Sequence, residues 1–185
     1  MRAMLVVGLS TLTLAGCDGG ERPARSVATL PAPKAGLWRE SLTRDGHAMG
    51  LIGEMRACLD ADARARLTTL GGRAGKGLCQ DRAVTRDADG AYHFSSICET
   101  GPGGRVTTQG VVTGDLASRY RIHTESDTTG ASLASMNGRH VADVEADYLG
   151  PCPADMTAGD VIIANGMKVN MDRLRAAAQA LSGGG

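Results

Sequence analysis

Alternating apolar and polar residues recur along the middle of the chain and predict a series of β-strands. In the segment 91–98, Tyr92, Phe94 and Ser96 fall on one face, because successive side chains of a strand point to opposite sides. Short turn sequences separate these segments, and Asn165-Gly166 is the strongest hairpin signal among them. The predicted strands cover residues 37–43, 54–59, 82–86, 91–98, 105–113, 119–126, 137–149, 161–164 and 167–170, with turns at 87–90, 101–104 and 114–115 and loops at 46–53 and 127–135.

Two helices complete the pattern. Asp60 can cap a short helix near residues 61–70, because its carboxylate can accept the first free amide donors, and Gly71-Gly72 ends that helix. Apolar residues at helical spacing predict a C-terminal helix near residues 171–181. Strands joined by short turns favour an antiparallel meander. We therefore predict an α+β fold that is mainly β, in which the meander curls into a half-barrel-like sheet.

Two of the predicted strands, 119–126 and 137–149, carry charge on the face opposite their apolar residues. The charged positions are Arg119, Arg121, His123 and Glu125 in one strand and Arg139, Asp143, Glu145 and Asp147 in the other. Antiparallel pairing would place the first two arginines opposite acidic residues, and each exposed pair of this kind contributes about 0.2–1 kcal/mol. We interpret the pattern as a solvated charge ladder that fixes strand register. A docking surface for a partner protein is the alternative.

The first residues have the pattern of a secretory signal. Arg2 precedes an apolar run that is too short to span a bilayer, which needs about 20 residues. The run closes with Leu14-Ala15-Gly16-Cys17, which resembles the lipobox of bacterial lipoproteins. We predict that residues 1–16 are removed and that Cys17 carries a diacylglyceryl thioether and an acylated amino group, such as a palmitate. An ordinary cleaved signal, with Cys17 incidental, is the alternative.

These signals divide the chain into three segments. Residues 1–16 are the lipoprotein signal peptide, residues 17–35 are the lipidated cysteine with a flexible tether that contains three prolines, and residues 36–185 are a single β-rich domain. The lipid would anchor the protein to the cell membrane on its periplasmic side. Asp18 resembles an inner-membrane retention signal, which favours the inner over the outer membrane.

Composition and motifs argue against several function classes. The chain has 20 basic and 20 acidic residues, so it lacks the basic excess that would hold a nucleic-acid backbone. It contains none of the common sequence motifs of serine hydrolases, zinc proteases, phosphate-binding loops or dinucleotide-binding folds. We predict a non-enzymatic protein without a cofactor, and we expect no nucleic-acid partner. An enzyme whose activity depends on Glu40 or His140 is the alternative.

Four cysteines remain after Cys17, and an even set in an oxidising compartment predicts disulfides. Among the three possible connectivities we favour Cys58–Cys79, which brackets the short helix, and Cys98–Cys152, which pins the segment after the longest strand. A zinc site or a redox pair is the alternative, but the chain has no C-x-x-C spacing.

Three residues are candidates for the lining of a cavity. Alternation puts Glu40 on the same face as Trp38, so its carboxylate needs a partner, either an arginine inside the sheet or a ligand. His140 falls on an apolar face, where it could line a cavity or serve as an ordinary core histidine. His47, Met49 and Met55 are too sparse for a copper site, and we predict no metal.

Several short motifs together resemble one protein family. Gly36-Leu37-Trp38 opens the domain, Cys58, Cys79 and Cys98 follow, and Gly150-Pro151-Cys152-Pro153 precedes Asn165-Gly166. This order is similar to the proteobacterial domain-of-unknown-function family 3617, over about residues 33–170. Members commonly carry an acidic residue directly after the tryptophan, where this chain has Arg39 followed by Glu40. The resemblance implies a periplasmic, disulfide-bonded domain and no particular activity.

Two function hypotheses follow. In the first, the protein is a non-enzymatic periplasmic lipoprotein whose curled sheet binds an apolar small molecule or a lipid. In the second, it is a structural or protein-interaction lipoprotein of the cell envelope, with a filled core and no ligand cavity. Membrane contact through the lipid anchor is common to both hypotheses, and an envelope protein is the expected partner in the second.

Overall fold

The computed structural model describes residues 26–60 and 79–182. The strands are β1 Ser26–Val27, β2 Gly36–Arg44, β3 His47–Ala48, β4 Glu54–Leu59, β5 Cys79–Arg86, β6 Tyr92–Glu99, β7 Arg105–Asp115, β8 Arg119–Thr129, β9 Gly138–Gly150, β10 Asp160–Ile163 and β11 Lys168–Asn170. One α-helix, α1, covers Met171–Ser182, and single 3-10 turns occupy Gly50–Ile52, Gly101–Gly103 and Ala134–Met136.

The strands form one open antiparallel sheet. Its order is β1-β5-β6-β7-β8-β9-β2-β4-β10-β11, and the short β3 pairs only with β2. Strands β5 to β9 follow one another as a meander, whereas β2 and β4 add to the far side of β9. The predicted fold class, mainly antiparallel β with few helices, is confirmed. The predicted helix near 61–70 lies outside the described residues.

The central hairpin of β7 and β8 is longer than predicted. The predicted turn at Gly114-Asp115 is wrong, because both residues still pair with β8 and the chain reverses over 116–118. Asp115 builds this turn, since its carboxylate accepts hydrogen bonds from the Ala117 amide and the Ser118 hydroxyl. At the other end of the hairpin, the first three residues of the predicted loop 127–135 belong to β8.

The folded domain begins earlier than Gly36. Ser26 and Val27 pair with Arg86 and Thr85 at one edge of the sheet. Beyond them Leu30 is buried, and the Trp38 indole N–H donates a 2.8 Å hydrogen bond to the carbonyl of Lys34. Residues 26–35 therefore belong to the domain rather than to a flexible tether as predicted. The rest of the predicted tether lies outside the described residues.

One face of the sheet carries the hydrophobic core, and we call it the core face. The Trp38 ring exposes no surface and lies 5.2 Å from the Tyr120 ring and 5.4 Å from the Tyr148 ring. Aromatic pairs at such distances add stability beyond the area that they bury. We call Trp38, Tyr120 and Tyr148 the aromatic cluster. The buried side chains around it are Leu30, Ala57, Leu59, Phe94, Val112 and Ala146. The core is thus built from one end of the sheet and from the segment that precedes β2.

The four cysteines form two disulfides, as predicted, but with different partners. The bonds join Cys79 to Cys98 and Cys58 to Cys152. Cys79 and Cys98 are direct cross-strand neighbours, because β5 begins three residues earlier than predicted and includes Cys79. The favoured pairing Cys58–Cys79 and Cys98–Cys152 is therefore wrong.

Candidate functional site

The core face continues past the aromatic cluster as a patch of apolar side chains that are only partly buried. We call it the half-buried patch, and its members are Leu42, Met55, Ile122, Ala142 and Val144. The strand register makes it continuous, since Val144 lies opposite both Leu42 on β2 and Ile122 on β8. Partly exposed apolar side chains that adjoin one another are the surface that an apolar ligand prefers.

Glu40 lies at the border between the aromatic cluster and the half-buried patch. Its cross-strand partners are Met55 on β4 and Ala146 on β9, both apolar. Burial raises the pKa of the Glu40 carboxyl, because a desolvated carboxylate loses its hydration. Burial also raises the pKa of Tyr120, and the negative charge of Glu40 adds to that rise. These surroundings therefore favour the protonated form of Glu40 more than water does, and that form can donate a hydrogen bond.

An arginine partner for Glu40, one of the two alternatives considered, is not found in the described part of the chain. Arg39 points to the opposite face and forms a 2.9 Å ion pair with Asp147. The other ion pairs of the described arginines also go to residues other than Glu40. Of the two partners considered for this carboxylate, a ligand is the one that the structure leaves open.

His140 lies far from Glu40. It is six residues along β9 from Ala146, the partner of Glu40, which corresponds to about 20 Å at the rise of a strand. Its Nδ1 lies 3.1 Å from Asp45 Oδ2, while its Nε2 is buried and has no hydrogen-bond partner among the described residues. Since Trp38 packs inside the aromatic cluster, the three cavity candidates do not line one common site.

The opposite face of the sheet carries the predicted charge ladder. Arg119 lies opposite Asp147 and Arg121 opposite Glu145, and both are ion-paired. Two contacts were missed by sequence reasoning. His123 Nδ1 lies 2.6 Å from Asp143 Oδ1, and His93 Nε2 lies 2.9 Å from Asp87 Oδ2. The signal for the first was present, because its two residues fall at matching positions in the predicted ladder.

No metal centre or membrane-spanning helix is found in the described ranges. Within residues 26–60 and 79–182, no three histidine, cysteine or acidic side chains converge as a metal site would require. In the same ranges, no helix combines the length and the apolar character needed to cross a membrane. Cys17, the predicted lipidation site, lies outside these ranges.

The architecture defines a class of protein, a mainly antiparallel β domain closed by two disulfides. The family model described as "Protein of unknown function (DUF3617)" matches residues 33–152, and the chain belongs to this family. The match covers β2 through Cys152 and so includes Glu40, the half-buried patch and all four disulfide cysteines. No curated protein and no solved structure matches the chain.

Proposed function

We propose that this protein is a membrane-anchored periplasmic lipoprotein, and that its core face binds an apolar small molecule or a lipid without catalysing a reaction. The observation that carries the proposal is the position of Glu40, an acid with a raised pKa at the edge of the half-buried patch. Ligand sites are mostly apolar, with a few polar groups that orient the ligand.

The chemistry of the site favours a ligand with an apolar body and one polar group. Leu42, Ile122 and Val144 would contact the apolar body, and each fully buried CH₂ group contributes about 0.8 kcal/mol. Burial favours the protonated form of Glu40, and that form can both donate and accept a hydrogen bond. A hydroxyl, a carbonyl or a protonated acid on the ligand would fit, whereas a fixed negative charge would be disfavoured, because the side chains opposite Glu40 are apolar.

Native mass spectrometry tests ligand binding. The mature chain is secreted with Cys17→Ser, so that it needs no detergent, and is sprayed from a non-denaturing buffer. An extra mass that is present in this protein and lost in Glu40→Ala supports the proposal. The matched control is Glu54→Ala, which removes an exposed carboxylate from the neighbouring strand and should keep the extra mass. A protein free of extra mass in all three forms contradicts ligand binding.

The anchor is tested separately. The sequence Leu14-Ala15-Gly16-Cys17 supports lipidation, because small residues before a cysteine are the features of a lipobox. We expect the native chain to incorporate labelled palmitate and to sediment with membranes, and Cys17→Ser to abolish both. A chain that is secreted but unlabelled would indicate an ordinary cleaved signal.

A structural or protein-interaction lipoprotein is the second candidate, and the filled aromatic cluster around Trp38 favours it. In that case the charge ladder would contact the partner. Replacing Arg119, Arg121, Glu145 and Asp147 by alanine should then release a cross-linked envelope protein, whereas Glu40→Ala should not. If the cross-linked set is unchanged, the ladder serves only to fix register.

A further inference from the structure

A groove of 280 Å³ lies on the other side of the molecule, where β4 begins and β10 ends. Three residues form a row across the floor of the groove. Arg56 of β4 lies in the middle of this row, because it is the direct cross-strand partner of Arg39 on β2 and of Ile162 on β10. Glu54 and the turn at 164–166 complete the wall. Two arginines thus face one small concavity.

Positive charges outnumber negative ones in and beside this row, because Arg39, Arg56 and Arg119 face two carboxylates, those of Asp147 and Glu54. Asp147 accepts ion pairs from both Arg39 and Arg119, so one carboxylate serves two guanidinium groups. The Arg56 side chain has neither a hydrogen bond nor an ion pair among the described residues. Like charges directly opposite each other in a sheet destabilise the pair. An anion between Arg39 and Arg56 would remove this repulsion.

We propose that the groove binds a phosphate group, held between the guanidinium groups of Arg39 and Arg56. Arginine presents a planar fork of donors that matches phosphate oxygens in pairs. A phosphate monoester has three terminal oxygens and a charge of about −1.5 to −2, so it can accept from two forks at once. The single charge and two oxygens of a carboxylate would satisfy one fork.

The other lining residues define what the rest of the ligand can be. Ile162 gives the groove an apolar side, which tolerates a carbon substituent on the phosphate. Glu54 lies in the same groove and opposes any anion there, so binding needs both guanidinium groups and a second negative group on the ligand would be disfavoured. The ligand class is therefore inorganic phosphate or a small phosphate monoester. Arg39 and Glu40 are neighbours in one strand and point to opposite faces, so the two arginines lie on the face opposite Glu40, and Met55 is the one patch residue that also lines the groove.

Nuclear magnetic resonance of the secreted Cys17→Ser chain tests the proposal. The arginine Nε–H signals and the Ile162 methyl signals are followed during titration with inorganic phosphate and, separately, with glycerol 3-phosphate. Sodium chloride at matched ionic strength measures general screening. We expect saturable shifts of Arg39, Arg56 and Ile162 with one or both phosphates and none with chloride.

Two variants identify the arginines. Arg56→Gln should weaken binding about tenfold or more, because it removes a charge-assisted donor pair. Arg121→Gln is the matched control, since Arg121 lies on the same face but is ion-paired with Glu145 and lies outside the groove. Amide spectra report whether each variant is folded. Arg56→Lys, which keeps the charge and loses the fork, should restore binding only in part.

Each outcome bears on the proposal. Saturation by both probes supports a site for the free phosphate group, and saturation by glycerol 3-phosphate alone supports a monoester site that needs its carbon substituent. Shifts that do not saturate, or that are as large with chloride, overturn the proposal. Equal weakening by Arg56→Gln and Arg121→Gln also overturns it, because binding would then depend on net charge alone.

Discussion

Glu40 illustrates how one side chain connects stability with the candidate site. Its raised pKa means that folding favours the protonated form. A carboxyl whose folded pKa lies above the unfolded value, about 4.3, has its full stabilising effect below that pH. The effect is lost as pH rises through the folded pKa. Removing the proton from Glu40 therefore destabilises the fold.

The first prediction is that Glu40→Gln is more stable than the wild type at neutral pH and similar to it below about pH 4. Glutamine keeps the shape of the neutral acid and removes its titration. Urea unfolding at a series of pH values measures the difference. Glu54→Gln serves as the control, since Glu54 is exposed. Parallel pH profiles of Glu40→Gln and wild type would contradict the assignment.

Gly110 is a second residue with a clear structural role, because the packing around it explains why this position holds a glycine. A Cβ atom at this position would lie 2.3 Å from the Phe94 ring and 2.6 Å from the His123 carbonyl oxygen. Gly110 is the cross-strand partner of Phe94, so the absence of a side chain lets the Phe94 ring lie across β7. The close approach, rather than a special backbone angle, requires glycine here.

We expect Gly110→Ala to lower the free energy of unfolding by about 1–3 kcal/mol, the usual range for an overpacked core. Gln109→Ala is the matched control, because Gln109 is the exposed neighbour on the same strand. Urea denaturation with intact disulfides compares the two variants. Equal midpoints for Gly110→Ala and wild type would show that Phe94 moves aside without cost.

At the scale of strands, the charge ladder makes the pairing of β8 with β9 sensitive to pH. The hydrogen bond that the His123 ring donates to Asp143 raises the pKa of His123, and the charges of Asp143 and Glu125 add to this rise. A histidine whose folded pKa is raised stabilises the fold below its unfolded pKa, about 6.5. That contribution is lost as pH rises through the folded pKa.

The third prediction is that Asp143→Asn lowers the pKa of His123 toward its ordinary value. Nuclear magnetic resonance titration of the histidine ring signals measures the change directly. Glu145→Gln, one position further along the ladder and paired with Arg121, should leave the His123 titration in place. If both variants shift it equally, the long-range field of the ladder rather than the Asp143 hydrogen bond is responsible.

The two disulfides connect strands over very different lengths of chain. Cys79 and Cys98 are 19 residues apart, whereas Cys58 and Cys152 are 94 apart. In the chain-entropy account, the longer loop loses more freedom in the unfolded state. The double variant Cys58→Ser/Cys152→Ser should therefore lose about 1 kcal/mol more than Cys79→Ser/Cys98→Ser. Urea unfolding measures both losses, and a reversed order would indicate that local packing outweighs loop length.

At the scale of the whole molecule, the parts that were predictable are those with a local signal. Alternation located most strands, and Asn165-Gly166 marked the β10–β11 turn, because both signals lie within a few residues. The disulfide partners depend on strand order. Leu37 of β2 lies between Cys58 on β4 and Gly150 on β9, which brings Cys152 within reach of Cys58. The insertion of β2 between β9 and β4 leaves no trace in the spacing of the cysteines.

For the candidate site, the sequence predicted which face a residue lies on but not which residues lie beside it. Alternation placed Glu40 beside Trp38 on the core face. It could not show that the described residues supply no arginine to Glu40, or that His140 lies about 20 Å away along β9. Both facts depend on the pairing register across several strands. Shifting one strand by two residues leaves each side chain on the same face of the sheet but gives it different cross-strand neighbours. The groove between Arg39 and Arg56 depends on register in the same way.

The segment before β2 shows how the whole domain is closed. Leu30 packs against the aromatic cluster from outside the sheet. The backbone of Lys34 makes two hydrogen bonds to the sheet side of the core, because its amide donates to the Leu116 carbonyl and its carbonyl accepts from the Trp38 indole. The Lys34 ammonium also lies 4.1 Å from the centre of the Tyr148 ring. Residues 28–35 therefore cover a core that the sheet alone would leave open.

The last prediction follows from this closure. Leu30→Ala should lower the free energy of unfolding by about 2–5 kcal/mol, as for other leucines buried in a core. Thr29→Ala is the matched control, because Thr29 is the exposed neighbour of the buried Leu30. Equilibrium urea unfolding of the secreted Cys17→Ser chain compares them. If Leu30→Ala is as stable as Thr29→Ala, the core is complete without this segment and the domain begins at Gly36. If it is destabilised as expected, residues 26–35 belong to the core, and any tether from the proposed anchor at Cys17 is correspondingly shorter.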